Sequence, residues 1–272
     1  MTEFAYPPET AGEALYLFLR RWLRDGVSSG ESFSWLSAID HSIEWSEYIE
    51  QFVAVALTGQ FVAAGRTFRE RHGQVATFST EMRSYIREVL TIDKVAANTL
   101  VRMTTSASDE SMQLIPDGLA RTLRTWAMAN HPNCYLCGHL LEFADQESPK
   151  RYTADHIWPR SFGGHSFDGN LLPACHDCNS NHKQNFATWA MTSVQSVILG
   201  LEPSAEKLRK VAGASRFALH HRRVQEVAIK KQISLKHAYR LLGPSEPIRT
   251  KHRSEVSHFF NLENHSSEAF AE

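Results

Sequence analysis

The arrangement of the cysteines constrains this chain more than any other feature of its sequence. All four cysteines lie in two pairs, CYLC and CHDC, and the rest of the 272-residue chain contains none. In a reducing compartment two such pairs are typical of one tetrahedral structural zinc site, because each tight turn directs two thiolates at one ion. The predicted zinc ligands are Cys134, Cys137, Cys175 and Cys178. Two disulfides or four free thiols are the alternatives.

The cysteine-rich segment divides the chain into four regions. Residues 1–130 carry apolar residues at helical spacing, as in GEALYLFLRRWLRDG, and predict a helical N-terminal domain. Residues 131–188 contain all the cysteines and many histidines, and predict a small zinc-stapled core. Residues 189–243 predict a basic helical region, and residues 244–272 a loosely structured tail. The expected fold class is mainly α with a small α+β insert.

Local patterns place elements within these regions. The stretch SASDESM predicts a loop, whereas PDGLARTLRTWAMAN predicts a helix that begins at a proline and leads into the first cysteine pair. The core segment RYTADHIW favours a strand. NLLPAC predicts a second short strand or turn, and the residues from the second cysteine pair onward predict a helix.

Charge is distributed unevenly along the chain, although the net charge is only −1. Residues 1–60 carry nine acidic residues against three arginines, and residues 206–253 carry thirteen Lys and Arg residues against three glutamates. The basic section is suited to a polyanion such as nucleic acid, and a set of solvated helix faces is the alternative. No apolar run is long enough to cross a bilayer, and the N-terminus lacks a secretory pattern, so we expect a cytoplasmic protein.

The motifs of the core follow an order that resembles a known enzyme family. The segments CYLC, DHIWPRSFGG, GNLLPAC and HDCNSNHK are similar, in this order and at compatible spacing, to the zinc-stapled form of the HNH endonucleases, also called ββα-metal nucleases. The resemblance covers about 50 residues. It implies a ββα-metal core between the helical regions.

The resemblance also implies a role for each signature residue. Asp155 binds the catalytic metal, and His156 is the general base. Asn170 holds the loop backbone so that the imidazole keeps its orientation. Asn179 stands at the third signature position and completes the metal ligands. These residue types suit the chemistry, because an imidazole titrates near neutrality and a hard cation prefers oxygen ligands.

Several basic residues are candidates for metal or phosphate contacts. His182 follows Asn179 by one helical turn and is either a further metal ligand or a phosphate contact. Many relatives have a lysine at this point, whereas here Lys183 follows one position later. Arg160, Arg222 and Arg223 are predicted DNA-backbone contacts, with solvated positions as the alternative.

These assignments predict an endonuclease that hydrolyses DNA phosphodiester bonds, by nicking or double-strand cutting, with structural Zn²⁺ and a catalytic Mg²⁺ or Mn²⁺. The family implies 5′-phosphate and 3′-hydroxyl ends on double-stranded DNA. A nucleic-acid-binding module without cleavage and an RNase are the alternatives. The architecture is similar to that of nuclease subunits in anti-phage systems of the Zorya and Septu kinds, which predicts a defence role beside a protein partner.

Overall fold

The computed structural model describes residues 4–27, 45–72, 75–182, 217 and 220–245. Its helices are α1 (Ala11–Val27), α2 (Trp45–His72), α3 (Val75–Val89), α4 (Lys94–Met112), α5 (Asp117–Asn130), α6 (220–231) and α7 (Leu235–Leu242). Two strands, β1 (Tyr152–His156) and β2 (Leu171–Cys175), form an antiparallel sheet. Short 3₁₀ turns span Arg160–Phe162 and Asp168–Asn170, and a π-helical turn spans Cys178–His182.

The described chain is therefore mostly helical with one small two-stranded sheet, in agreement with the predicted class. Of the helix expected after the second cysteine pair, the described residues include only the π-helical turn that ends at His182. The division into four regions, with boundaries after residues 130, 188 and 243, stays a prediction. One buried cluster contains side chains from both sides of residue 130, including Tyr16 of α1 and Trp158 of the core, whose rings lie 5.1 Å apart.

The N-terminal helices pack on one another and against the segment that carries the cysteines. Helix α1 packs on α2 and α4, α3 packs on both α2 and α4, and the turn Arg160–Phe162 contacts α2 and α4. Asp93 is the N-cap residue of helix α4, and its carboxylate accepts hydrogen bonds from backbone N–H groups in the first turn of the helix. The C-cap residue of the helix is Gln113, which adopts an extended backbone conformation and lies beside the core.

The prediction that SASDESM forms a loop is wrong, because these residues form the last two turns of α4. The stretch lacks large apolar residues, but Ala107, Ser108 and Ser111 are all buried. Their small side chains let α4 approach α2 closely, and a Cβ atom on Gly65 of α2 would lie 2.1 Å from Ser108 Oγ. A buried helix face made of alanine and serine therefore looked like a polar loop in the sequence.

Helix α1 begins with a buried capping box. Glu13 Oε2 accepts a hydrogen bond from the backbone N–H of Thr10 at 3.0 Å, and Thr10 Oγ1 accepts one from the backbone N–H of Glu13 at 3.1 Å. Gly12, two residues after Thr10, donates its backbone N–H to the Gly163 carbonyl of the core at 3.1 Å. Burial raises the pKa of Glu13 from 4.5 to about 7, because water no longer solvates its charge.

We predict that Glu13→Gln changes how stability depends on pH. The folded chain holds a proton on Glu13 that the unfolded chain releases above pH 4.5, so the wild type should lose stability as pH rises from about 4.5 to 7. As pH rises from 5 to 8, the unfolding free energy of the variant minus that of the wild type should increase by about 2–3 kcal/mol. Urea unfolding at both pH values measures this. The exposed substitution Glu88→Gln is the control, and parallel pH profiles for wild type and Glu13→Gln would contradict the prediction.

The two strands and their connecting turns are held by the buried core. The register pairs Asp155 with Leu172 and His156 with Leu171, and every residue of β2 is buried. Helix α5 packs on both strands.

None of the helices in the described part of the chain is long and apolar enough to cross a membrane. Residues 246–272 of the predicted tail lie outside the described residues.

Candidate active site and zinc site

The four cysteines converge on one point. Their sulfur atoms all lie within 4.8 Å of one another, and Cys137 Sγ is 3.8 Å from Cys175 Sγ. Four sulfurs bound tetrahedrally to zinc at about 2.3 Å are spaced by roughly 3.8 Å, so the cluster has the dimensions of one zinc site. All four thiols are free, and the close contact joins the two pairs rather than the members of one pair. The cluster therefore fits a single zinc ion better than two disulfides.

The electrostatics of the cluster also suit a cation. The thiols share hydrogen bonds with one another, which lower the pKa values of Cys137 and Cys175 and raise those of Cys134 and Cys178. Cys134, Cys175 and Cys178 are buried. Buried thiolates need a compensating positive charge, which a zinc ion supplies.

Asp155 lies on β1 with its carboxylate turned toward the zinc-binding turn. The residue is 4% exposed, and its Oδ2 accepts a hydrogen bond of 2.7 Å from the hydroxyl of Tyr135, which stands between two cysteines. Removal from water, and then the charge of Asp155, raise the pKa of Tyr135 well above its usual value, so the phenol keeps its proton and donates. A carboxylate in this position offers oxygen atoms, which a hard divalent cation prefers as ligands.

Asn179 lies in the π-helical turn and faces the same side of β1 as Asp155. Its Nδ2 donates to Thr153 Oγ1 at 3.2 Å, and Thr153 shares a strand face with Asp155 because side chains alternate along a strand. This bond occupies the amide nitrogen of Asn179, and its amide oxygen is an atom of the kind that a hard divalent cation prefers. The side chain of His182, the third predicted ligand, lies outside what the structure describes.

His156 is the next residue on β1 and has different neighbours. Its Nε2 lies 2.9 Å from Ser166 Oγ in the loop that leads back to Asn170. The Ser166 hydroxyl in turn donates to the Gln113 carbonyl at the end of α4, also at 2.9 Å. The carboxylate and the imidazole are thus held from opposite sides, Asp155 by the zinc-binding turn and His156 by the loop and α4.

Asn170 ties the two ends of that loop together. It is 2% exposed, and its Oδ1 accepts from the Trp158 backbone N–H at 2.8 Å. Its Nδ2 donates to the carbonyls of Trp158 and His165, each at 3.0 Å. A Cβ atom on Gly164 would lie 1.9 Å from the Trp158 carbonyl oxygen, so only glycine fits inside this tight loop. These are the contacts that the predicted loop-holding role requires.

We predict that Asn170→Ala lowers both stability and any nuclease activity. The change leaves one buried N–H and two carbonyls without their hydrogen-bond partner, which should reduce the free energy of unfolding by roughly 2–4 kcal/mol. The loss should appear in urea unfolding curves. Asn130→Ala is the control, since Asn130 makes a single exposed hydrogen bond to the Trp126 carbonyl and should cost less than about 1 kcal/mol. Equal effects of the two substitutions would contradict the clamping role.

The residues predicted to contact phosphate differ in their partners and exposure. Arg160 donates its Nε to the Ser111 carbonyl of α4 at 3.2 Å and so joins the core to the helices. On α6, Arg222 pairs with Glu226 at 3.3 Å, whereas Arg223 is exposed. Lys183 lies outside the described residues. The histidines that precede these two arginines, His220 and His221, are buried, so they add nothing to a phosphate-binding surface.

Sequence reasoning missed two residues that contact the site, Tyr135 and Ser166. Tyr135 could have been noticed as an aromatic residue inside a zinc-binding pair. For Ser166 the sequence holds no signal, since its partner Gln113 is 53 positions away.

Comparison with protein families decides what this segment is. Residues 134–191 match the family model described as HNH endonuclease. The chain carries an HNH endonuclease domain. The clustered cysteines agree with the zinc-stapled form of that domain. No curated protein and no solved structure matches the chain.

The HNH domain contains every residue of the predicted signature. The match begins at Cys134 and includes Asp155, His156, Asn170 and Asn179. Helices α1 to α5, α6 and α7 lie outside it. The contacts from Gln113, Ser111 and Gly12 therefore reach the HNH domain from parts of the chain that the family does not cover.

Proposed function

We propose that the protein is a metal-dependent endonuclease that hydrolyses phosphodiester bonds of double-stranded DNA. The observation that carries the proposal is the arrangement of β1. Asp155 and His156 are the last two residues of the strand, the Asn179 side chain donates to Thr153 of the same strand, and His156 is held by Ser166, all within the HNH domain.

In the proposed reaction His156 accepts a proton from a water molecule. The water oxygen attacks phosphorus, and the bond from phosphorus to the 3′ oxygen breaks. The departing oxygen takes up a proton, leaving 3′-hydroxyl and 5′-phosphate ends. A divalent cation such as Mg²⁺ or Mn²⁺, held by Asp155 and Asn179, would stabilise the negative charge on the phosphoryl and departing oxygens. Asn170 keeps the loop closed around Trp158 so that the imidazole does not turn away.

Charge supports nucleic acid as the substrate. Thirteen Lys and Arg residues lie in 206–253, and Arg223 on α6 is exposed. Non-specific phosphate contacts of this kind are sensitive to salt, so binding should weaken steeply as ionic strength rises.

A plasmid-nicking assay tests the proposal directly. Supercoiled plasmid incubated with the protein and Mg²⁺ or Mn²⁺ should be converted to relaxed and linear forms, and omission of the divalent ion should prevent this. A structured RNA is assayed in parallel. Cleavage of RNA alone would favour an RNase, and retention of DNA on a gel without nicking in either metal would favour a binding module.

We propose a role in anti-phage defence, on the likeness in architecture alone. Helices α1 to α5 are then the surface for a protein partner. The test is phage infection of cells that express the protein with its neighbouring genes. Equal plaque numbers for wild type and His156→Ala would contradict the defence role and leave the nuclease proposal standing.

A further inference from the structure

Ser166 connects the candidate general base to a helix outside the HNH domain. The residue is 4% exposed, and its hydroxyl oxygen lies 2.9 Å from both His156 Nε2 and the Gln113 carbonyl oxygen. Gln113 is the C-cap residue of α4, where carbonyl groups have no partner within the helix. The three groups form a chain from β1 to the end of α4.

The hydrogen atoms in this chain can be assigned. A serine hydroxyl has one hydrogen to donate, and a carbonyl oxygen can only accept. The hydroxyl therefore donates to Gln113 and accepts from His156, which requires a hydrogen on Nε2. The reverse arrangement would place the Ser166 oxygen 2.9 Å from the carbonyl oxygen with no hydrogen between them. Nδ1 is thus the nitrogen that lacks a hydrogen in the neutral ring and acts as the base.

The end of α4 is itself held in place. The Ser111 carbonyl accepts from Arg160 of the core at 3.2 Å, and Glu110 Oε2 accepts from the Ala11 backbone N–H at 2.8 Å. The Gln113 carbonyl is consequently fixed relative to both α1 and the HNH loop. The negative end of the helix dipole also lies on this side and favours a positively charged imidazole once it has taken a proton.

We infer that Ser166 is a positioning residue for His156, and that the helical region selects the tautomer of the base through the Gln113 carbonyl. The inference rests on the proposed function in so far as His156 is the base. It adds that the HNH domain of this chain depends for its base orientation on a helix that the family model does not include.

The test compares Ser166→Ala and Ser166→Thr with Ser108→Ala. Ser108 is a buried serine of α4 whose hydroxyl also donates to a carbonyl, that of Val62, but it does not touch the site. Removing the Ser166 hydroxyl should lower kcat of plasmid cleavage about 10- to 100-fold with little change in KM, as the loss of partners that orient a histidine does. Ser166→Thr keeps a hydroxyl and should recover most of the rate, and Ser108→Ala should cleave like the wild type.

The tautomer is read separately by ¹⁵N NMR of the histidine side chains in the zinc-loaded protein, without added Mg²⁺, Mn²⁺ or nucleic acid. The His156 signals, assigned by their loss in His156→Gln, should show a hydrogen on Nε2 in the wild type and a mixture of tautomers in Ser166→Ala. A wild-type ring with its hydrogen on Nδ1, or an unchanged kcat in Ser166→Ala, would overturn the inference. If the wild type cleaves nothing while the spectra behave as expected, the proposed function fails and the positioning contact stands.

Discussion

His156→Ala should abolish cleavage while leaving the protein folded and its zinc bound. Loss of a general base typically costs about 10²–10⁴-fold in rate, which brings nicking below detection in an ordinary plasmid assay. The fold should survive, because His156 is only half-buried at the end of β1 and a hydrogen bond such as that to Ser166 contributes only about 1 kcal/mol. The measurement is the rate of plasmid relaxation with Mg²⁺ or Mn²⁺ at fixed enzyme concentration.

The matched control is His237→Ala. His237 is an exposed histidine on α7, so its removal should leave cleavage unchanged. Zinc content and the thermal unfolding midpoint of both variants are measured alongside activity. Wild-type cleavage by a folded, zinc-loaded His156→Ala protein would remove His156 from the mechanism. A similar loss in His237→Ala would show that the assay reports damage to the fold.

Cys175→Ser should remove the zinc ion and unfold the HNH domain. Cys175 is fully buried on β2, opposite Tyr152, and it lies 3.8 Å from Cys137 across the two pairs. Zinc bound at structural sites contributes on the order of 10 kcal/mol to the folding of small domains, so three remaining thiols cannot replace the lost ligand. We expect one zinc per chain in the wild type, far less in the variant, and a large fall in the unfolding midpoint.

Ala174→Ser controls for the introduction of a buried serine. Ala174 precedes Cys175 on the same strand and is also fully buried, so the control carries the same hydroxyl at nearly the same depth. It should keep its zinc and lose only the few kcal/mol that a buried polar group costs. A Cys175→Ser protein with a full zinc complement and the wild-type midpoint would contradict the four-cysteine site.

Those parts of the site that depend on residue type and order could be predicted from the sequence. The cysteine pairs converge as their spacing indicated, and RYTADHIW contains the strand Tyr152–His156, which leads into a tight loop. Strand alternation already implied that Asp155 and His156 have different neighbours. The amide of Asn170 bonds the backbone of the loop, which is where the resemblance to HNH enzymes placed it.

Contacts between distant segments could not be predicted in this way. The Ser166 hydroxyl meets a carbonyl from α4, and the Tyr135 hydroxyl meets Asp155 only because β2 carries the second cysteine pair back to the first. Helix α4 was missed at its C-terminal end for a related reason. Its alanine and serine face is suited to close packing against Gly65 of α2, and that partner is 43 residues from Ser108 in the chain.

What the sequence by itself determined is which functional groups the HNH domain carries: four thiols spaced for one zinc ion, and carboxylate, amide and imidazole groups of the kinds that phosphodiester hydrolysis uses. Residue types and their spacing suffice for that, because metal coordination and proton transfer select particular functional groups. The tertiary structure alone decided that Ser166 and the Gln113 carbonyl of α4 lie beside His156. A hydrogen bond depends on the position and direction of two groups in space, and those groups come from segments that only the packing of α1 and α4 against the HNH loop brings together.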